Sequence, residues 1–130
     1  MKPELLNGAN LSYIGDAYYE LVTRKYCLDK GKTIQQELHK MSVKYVSAKA
    51  HAEIIERMKE ESFLTEEEVS IYKRGRNHTL NANRKNLKLG EYSASSGFEA
   101  VVGYLYLKGD FSRLDEIIRF SIETIEGKNE

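Results

Sequence analysis

The chain has 130 residues, 20 basic and 20 acidic, with one proline and no tryptophan. That length suits one domain with a genuine core and is too short for two ordinary ones, so a single domain over residues 1–130 is expected. Apolar residues at 41% and charged residues at 31% speak against a disordered or fibrous chain and for a compact all-α one, and zero net charge speaks against a uniformly basic nucleic-acid binder.

Apolar residues recur at helical rather than alternating spacing along the chain. Leu11, Ile14, Tyr18, Leu21 and Val22 predict a first helix running to about Asp29 and stopped by Gly31. Ile34, Leu38 and Met41 predict a short second helix with Thr33 as N-cap and Gln36 three residues on. Val43, Val46, Ala50, Ile54, Ile55 and Met58 predict a long third helix that ends before Phe63. Thr65 followed by three glutamates is a capping-box start for a fourth, carrying Val69, Ile71 and Tyr72 and ending near Gly75 to Asn77. Residues 78 to 92 lack a period and read as a long exposed loop. A fifth helix follows from Ser96 to Leu107, broken by Lys108-Gly109-Asp110, and Leu114 to Ile125 complete the domain.

Two of these helices carry an acid among apolar neighbours: Asp16 on the first and Glu99 on the fifth. An ionised carboxylate in core-like surroundings is costly unless a cation or hydrogen-bond donors meet it, and a shared hydrated divalent cation is the simplest way to meet that cost. Glu20 lies four residues beyond Asp16 on the same face, and Gly15 removes bulk beside Asp16. Ser95 and Ser96 align with Glu99, and Gly103 clears space one turn further. Hard oxygen ligands suit magnesium, which lowers the pKa of a bound water and stabilises charge on a phosphodiester. The plainer alternatives are structural: an acid inside a helix is often capped or ion-paired, and Arg24 stands four residues from Glu20. His39, His51 and His78 are too scattered in sequence to suggest a metal set, the tyrosines read as core edges, and Cys27 reads as a small core side chain.

The charge distribution adds a second feature. No acid occurs between Glu68 and Glu91, while that window holds Lys73, Arg74, Arg76, Arg84, Lys85 and Lys88. It is a local polyanion-binding candidate on a neutral chain, although such runs alone are more often solvated loops. No stretch approaches the roughly 20 apolar residues a membrane span needs, so a cytoplasmic protein with no membrane partner is expected. From residues alone the reading stops at a helical domain with an acidic metal-site candidate and a basic loop.

The same residues carry a resemblance. Tyr13-Ile-Gly-Asp-Ala-Tyr-Tyr-Glu-Leu21 resembles the signature helix of the ribonuclease III catalytic domain, and Gly97-Phe-Glu-Ala-Val-Val-Gly-Tyr-Leu-Tyr-Leu107 resembles that family's second acidic helix. Leu38-His-Lys40, Val46-Ser-Ala48 and Lys73-Arg-Gly-Arg-Asn77 resemble, in the expected order, motifs of the Mini-III ribonucleases, short bacterial members without a double-stranded RNA-binding domain.

The resemblance implies an all-α ribonuclease III fold assembled as a homodimer. It implies a magnesium-dependent endoribonuclease, with manganese as a substitute ion, that cuts double-stranded RNA to leave 5′-phosphate and 3′-hydroxyl ends. Asp16 falls on the catalytic, metal-binding aspartate and Glu99 on the metal-binding glutamate. Two further acids of the longer enzymes are replaced by Ala9 and Ser96, and a usual glutamate by Ser12. Ser12, Glu20 and Ser96 are therefore expected only as supporting residues. The expected RNA contacts are Arg74, Arg76, Asn77, Arg84, Lys85 and Lys88, with Lys73 and Lys49 as further candidates. The implied substrate is the 23S ribosomal RNA precursor, with a ribosomal protein as a further partner. The alternatives are a catalytically inactive double-stranded RNA-binding dimer and, less favoured, a helical scaffold docking an acidic protein.

Overall fold

In the computed structural model, residues 1–82 and 89–127 are described. A 3-10 turn at Pro3–Leu5 precedes six α-helices: α1 Gly8–Asp29, α2 Gln35–Val46, α3 Ala48–Glu60, α4 Glu66–Ala82, α5 Leu89–Lys108 and α6 Phe111–Gly127. No strand occurs among the described residues, and none of their helices is long and apolar enough to cross a membrane.

The helix starts follow local chemistry. Asn7 caps α1 by accepting the Asn10 amide at 2.8 Å, and Ser47 caps α3 by accepting that of Ala50 at 3.1 Å. The expected capping box at α4 is complete: the Glu68 amide donates to Thr65 Oγ1, and the Thr65 amide donates to the Glu68 carboxylate. Glu68 is almost fully buried, and its second role explains why. Arg113 of α6 donates to both of its oxygens, at 2.8 and 2.9 Å, and to the Phe63 carbonyl at 2.7 Å. The buried charge is thereby paired and its lone pairs are met.

α5 is the axis of the molecule. Ser93, Ser95, Gly97, Phe98 and the run from Ala100 to Leu105 are buried on several faces, as expected of a helix enclosed by others. α1, α4 and α3 pack around it. Backbones come closest where α1 crosses α5. A methyl group on Gly15 would lie 1.7 Å from the Glu99 carbonyl oxygen, and one on Gly103 would lie 2.0 Å from that of Leu11. The two glycines thus permit backbone-to-backbone packing of the helices, where the sequence reading took them as open space beside the acids.

The predicted elements differ from the observed ones at four places, each for a physical reason. The long third helix is two, because Ser47 is extended (ψ 155°) and caps α3; the apolar positions stay in phase across the break and conceal it. Val43 and Val46 belong to α2, which starts without a side-chain cap at Ile34 rather than at Thr33. α4 does not end at Gly75. That glycine is a packing residue, since a methyl there would lie 2.6 Å from the Ser96 carbonyl oxygen, and the helix continues to Ala82. The expected loop at 78–92 is helical at both ends, with α5 beginning at Leu89; residues 83–88 lie outside the described part.

Replacing Gly15 by alanine is expected to destabilise the protein by about 3 kcal/mol or more, because helix backbones rather than a flexible side chain must move. Gly90→Ala, whose added methyl meets nothing within 4 Å, should instead stabilise by roughly 0.5–1 kcal/mol through helix propensity. Urea denaturation of the two variants checks both signs.

Candidate active site

The α1–α5 contact that buries Gly15 and Gly103 also sets Asp16 beside Glu99. The two carboxylates share an open cleft of about 250 Å³ with Ala9, Ser12, Tyr13, Ser96 and His78. Glu99 is partly buried, while Asp16 is exposed. The expectation that both acids sit in core-like surroundings therefore holds only for Glu99. Apolar neighbours in sequence do not bury Asp16, because helical geometry turns Tyr13, Ala17 and Leu21 outward along with it.

Ser12 donates to Glu99 Oε1 at 3.2 Å. Burial, and then the adjacent Asp16 carboxylate, raise the Glu99 pKa from the ordinary 4.5 to about 9; the Ser12 hydrogen bond opposes this and Glu20 adds to it weakly. Around neutral pH the partly buried Glu99 is thus the protonated member of the pair. Ser96 stands one turn before Glu99 on α5, its Oγ accepting from Thr79 of α4 at 2.5 Å. The donor set is two carboxylates and two hydroxyls, all hard oxygens. It suits a magnesium-like ion that keeps several of its waters.

The remaining predicted residues are dispersed. Glu20 pairs with Arg24 at 3.0 Å, the plainer alternative for it, and lies one turn from Asp16. Lys49, Lys73 and Asn77 are exposed. Arg76 lies over the Tyr72 ring, 5.9 Å from its centroid, and donates to Asn77 Oδ1 at 3.1 and 3.2 Å. Arg74 is turned inward: its Nη1 donates to the carbonyls of Glu4 and Leu6, each at 2.9 Å, tying the N-terminal turn to α4. Arg84, Lys85 and Lys88 lie outside the described residues.

Two histidines gain places that the sequence reading withheld. His78 faces the cleft; it lies on the stretch of α4 past the expected end near Gly75 to Asn77, in a register the sequence spacing does not show. His51 is buried on α3, its Nδ1 sharing a 2.7 Å hydrogen bond with Ser95 Oγ and its ring packed on Tyr19 and Phe98. Burial lowers its pKa to about 4, against a smaller opposing effect of Asp16, so the ring is neutral. It braces both acid-bearing helices from beneath, one turn or less from Asp16 and Glu99. Cys27 is a buried core side chain, as expected.

An all-helical fold with paired carboxylates across an open cleft is that of a ribonuclease III catalytic domain, and residues 9–110 match the family described as Ribonuclease III domain. The chain is 44% identical over 123 residues to Mini-ribonuclease 3 of Streptococcus pneumoniae, covering 95% of this chain and 96% of that protein. It is 42% identical over 125 residues to Mini-ribonuclease 3 of Enterococcus faecalis, covering 96% and 95%. A crystal structure of a Fusobacterium nucleatum protein superposes with a TM-score of 0.78 at 30% identity, covering 92% of this chain and 93% of that one. The chain belongs to the ribonuclease III family of endoribonucleases, in its Mini-ribonuclease 3 group.

The Glu99 proton has a thermodynamic consequence. A carboxyl whose folded pKa is raised stabilises the fold fully below its unfolded pKa, and that stabilisation is lost as pH rises through the folded value. Without divalent cations, stability should therefore fall between pH 4.5 and about 9. Glu99→Gln should flatten this slope, measured as denaturation midpoints across that range.

Proposed function

We propose that the chain is a magnesium-dependent endoribonuclease that cleaves double-stranded RNA as a homodimer, leaving 5′-phosphate and 3′-hydroxyl ends. The observation that carries the reading is the pairing of Asp16 with Glu99 in one cleft, where burial and the neighbouring Asp16 carboxylate push the Glu99 pKa up. Asp16 and Glu99 would hold the ion, with Ser12 fixing the Glu99 oxygen and Ser96, one turn before Glu99 on α5, lining the same cleft. When bound, magnesium supplies an acidified water and a positive charge against the phosphodiester; manganese serves in its place.

The residues themselves supply position. The Gly15 and Gly103 contact fixes the separation of the helices that carry the two acids. Asp16, exposed at the rim, is accessible to a bulky duplex, while the more enclosed Glu99 anchors the inner side. A-form RNA is recognised mainly by phosphate, 2′-hydroxyl and shape. Lys73, Arg76 and Asn77 on α4, with Arg84, Lys85 and Lys88 just beyond it in sequence, have the chemistry for that. Arg74 acts beside them while holding the N-terminal turn. The substrate we assign is the 23S ribosomal RNA precursor, in the cytoplasm, with a ribosomal protein as an assisting partner, as the resemblance of the Asp16 and Glu99 helices to Mini-III ribonucleases implies.

Cleavage of a long RNA duplex at low salt should require magnesium. It should fall by roughly 100-fold or more in Asp16→Asn and in Glu99→Gln, with all proteins dimeric by light scattering. With about three phosphate contacts per subunit, affinity should drop roughly 10³-fold between 50 and 200 mM salt. Equal binding by all three proteins with cleavage by none would mean an RNA-binding dimer instead.

A further inference from the structure

The cleft has an electrostatic deficit on its substrate side. Two carboxylates face any approaching phosphodiester, and the hydroxyl of Ser12 is already directed at Glu99. The hydroxyl of Thr79 is directed at Ser96. Among the described residues that line the cleft, His78 alone has a side chain that both donates a hydrogen bond from a ring nitrogen and can carry positive charge. It is exposed to solvent and so accessible to a large ligand.

Its position is set by rigid parts. α4 passes Gly75 in backbone contact with α5, and Thr79, the residue after His78, is hydrogen-bonded to Ser96 across the same junction. His78 is thus held on the wall opposite α1 by contacts on both sides of it in sequence. A role as third metal ligand is the obvious alternative. The geometry speaks against it, since no three His, Cys, Asp or Glu side chains among the described residues are grouped to hold one ion. Imidazole is in any case a poor match for magnesium.

We propose that His78 is a substrate-positioning residue that donates a ring N–H to a backbone oxygen of the RNA strand at the cleft, a phosphate oxygen or a 2′-hydroxyl. The inference rests on the reading of the chain as a duplex-RNA nuclease and adds to it a contact on the substrate side of the acids. It gives the acidic cleft a local donor, beside the more distant basic residues of α4.

The test compares the native protein with His78→Ala and His78→Gln on a short RNA duplex, reading KM and kcat in magnesium and binding in EDTA. His78→Ala should raise KM and weaken EDTA binding by about tenfold with kcat changed less than threefold, and glutamine, which keeps an N–H donor, should recover most of the loss. Duplexes with a 2′-deoxy nucleotide, or with a methylphosphonate, at the cleavage site then distinguish the two oxygens. The alanine penalty should vanish on one of them. Native KM and binding in His78→Ala, a penalty undiminished on both modified duplexes, or a kcat defect repaired by excess magnesium would each overturn the proposal. The EDTA arm is independent of turnover. A native protein that binds duplex RNA without cutting it would refute the nuclease reading, while a binding loss in His78→Ala would still uphold this contact.

Discussion

The site depends on the place where α1 and α5 touch backbone to backbone. Gly15 meets the carbonyl of Glu99, and Gly103 meets that of Leu11, so each glycine lies against a residue in or next to the cleft-bearing turns. Side chains elsewhere in the core can adjust by rotamer changes. The nearest groups at this contact are backbone atoms, with Ile14 Cγ2 beside Gly103, and packed interiors resist the insertion of even one methyl group. The relative height of Asp16 and Glu99 is therefore a property of two backbones, and the core around α5 serves to keep them in register.

With that separation fixed, the electrostatics follow. A partly buried Glu99 beside Asp16 is an unfavourable pair when both are charged, and the protein relieves it with a proton and one hydroxyl from Ser12. Among the described residues, no basic side chain lines the cleft apart from the imidazole of His78. A salt-bridged acid pair would be more stable and chemically idle. Here no salt bridge among the described residues meets either acid, a case of local stability given up at a site. By contrast Glu68, equally acidic and more deeply buried, is fully met by Arg113 and the Thr65 amide, and is structural.

Much of this was legible in the sequence, and the exceptions share one cause. Six helical segments, the capping box at Thr65, the break at Gly109 and the acids Asp16 and Glu99 could all be read from period and spacing. Gly15 and Gly103 were noticed but given the wrong reason, because sequence shows that a side chain is missing and not what occupies its place. Gly75 to Asn77 reads as a helix end for the same reason, although Gly75 packs on α5 and α4 runs on to Ala82, carrying His78 into the cleft. Arg74 read as a surface cation, although its guanidinium holds two carbonyls nearly seventy residues away. Local propensity records what a segment prefers alone; these four residues answer to a neighbour distant in the chain.

The two ends of α4 are held by side-chain contacts, while its middle rests on the α5 backbone at Gly75. Near its start the Glu68 carboxylate is clasped by Arg113 of α6, and near its far end Thr79 is bonded to Ser96 of α5. Between these supports lies about 16 Å of continuous helix, a beam rather than a hinge. Tilting such a beam by a single degree about one support moves the other by roughly 0.3 Å. A defect at the Glu68 clasp, on the opposite end of the helix from the cleft, would thus reach His78 as a tilt of an intact helix about its Gly75 contact with α5, with no unfolding between them.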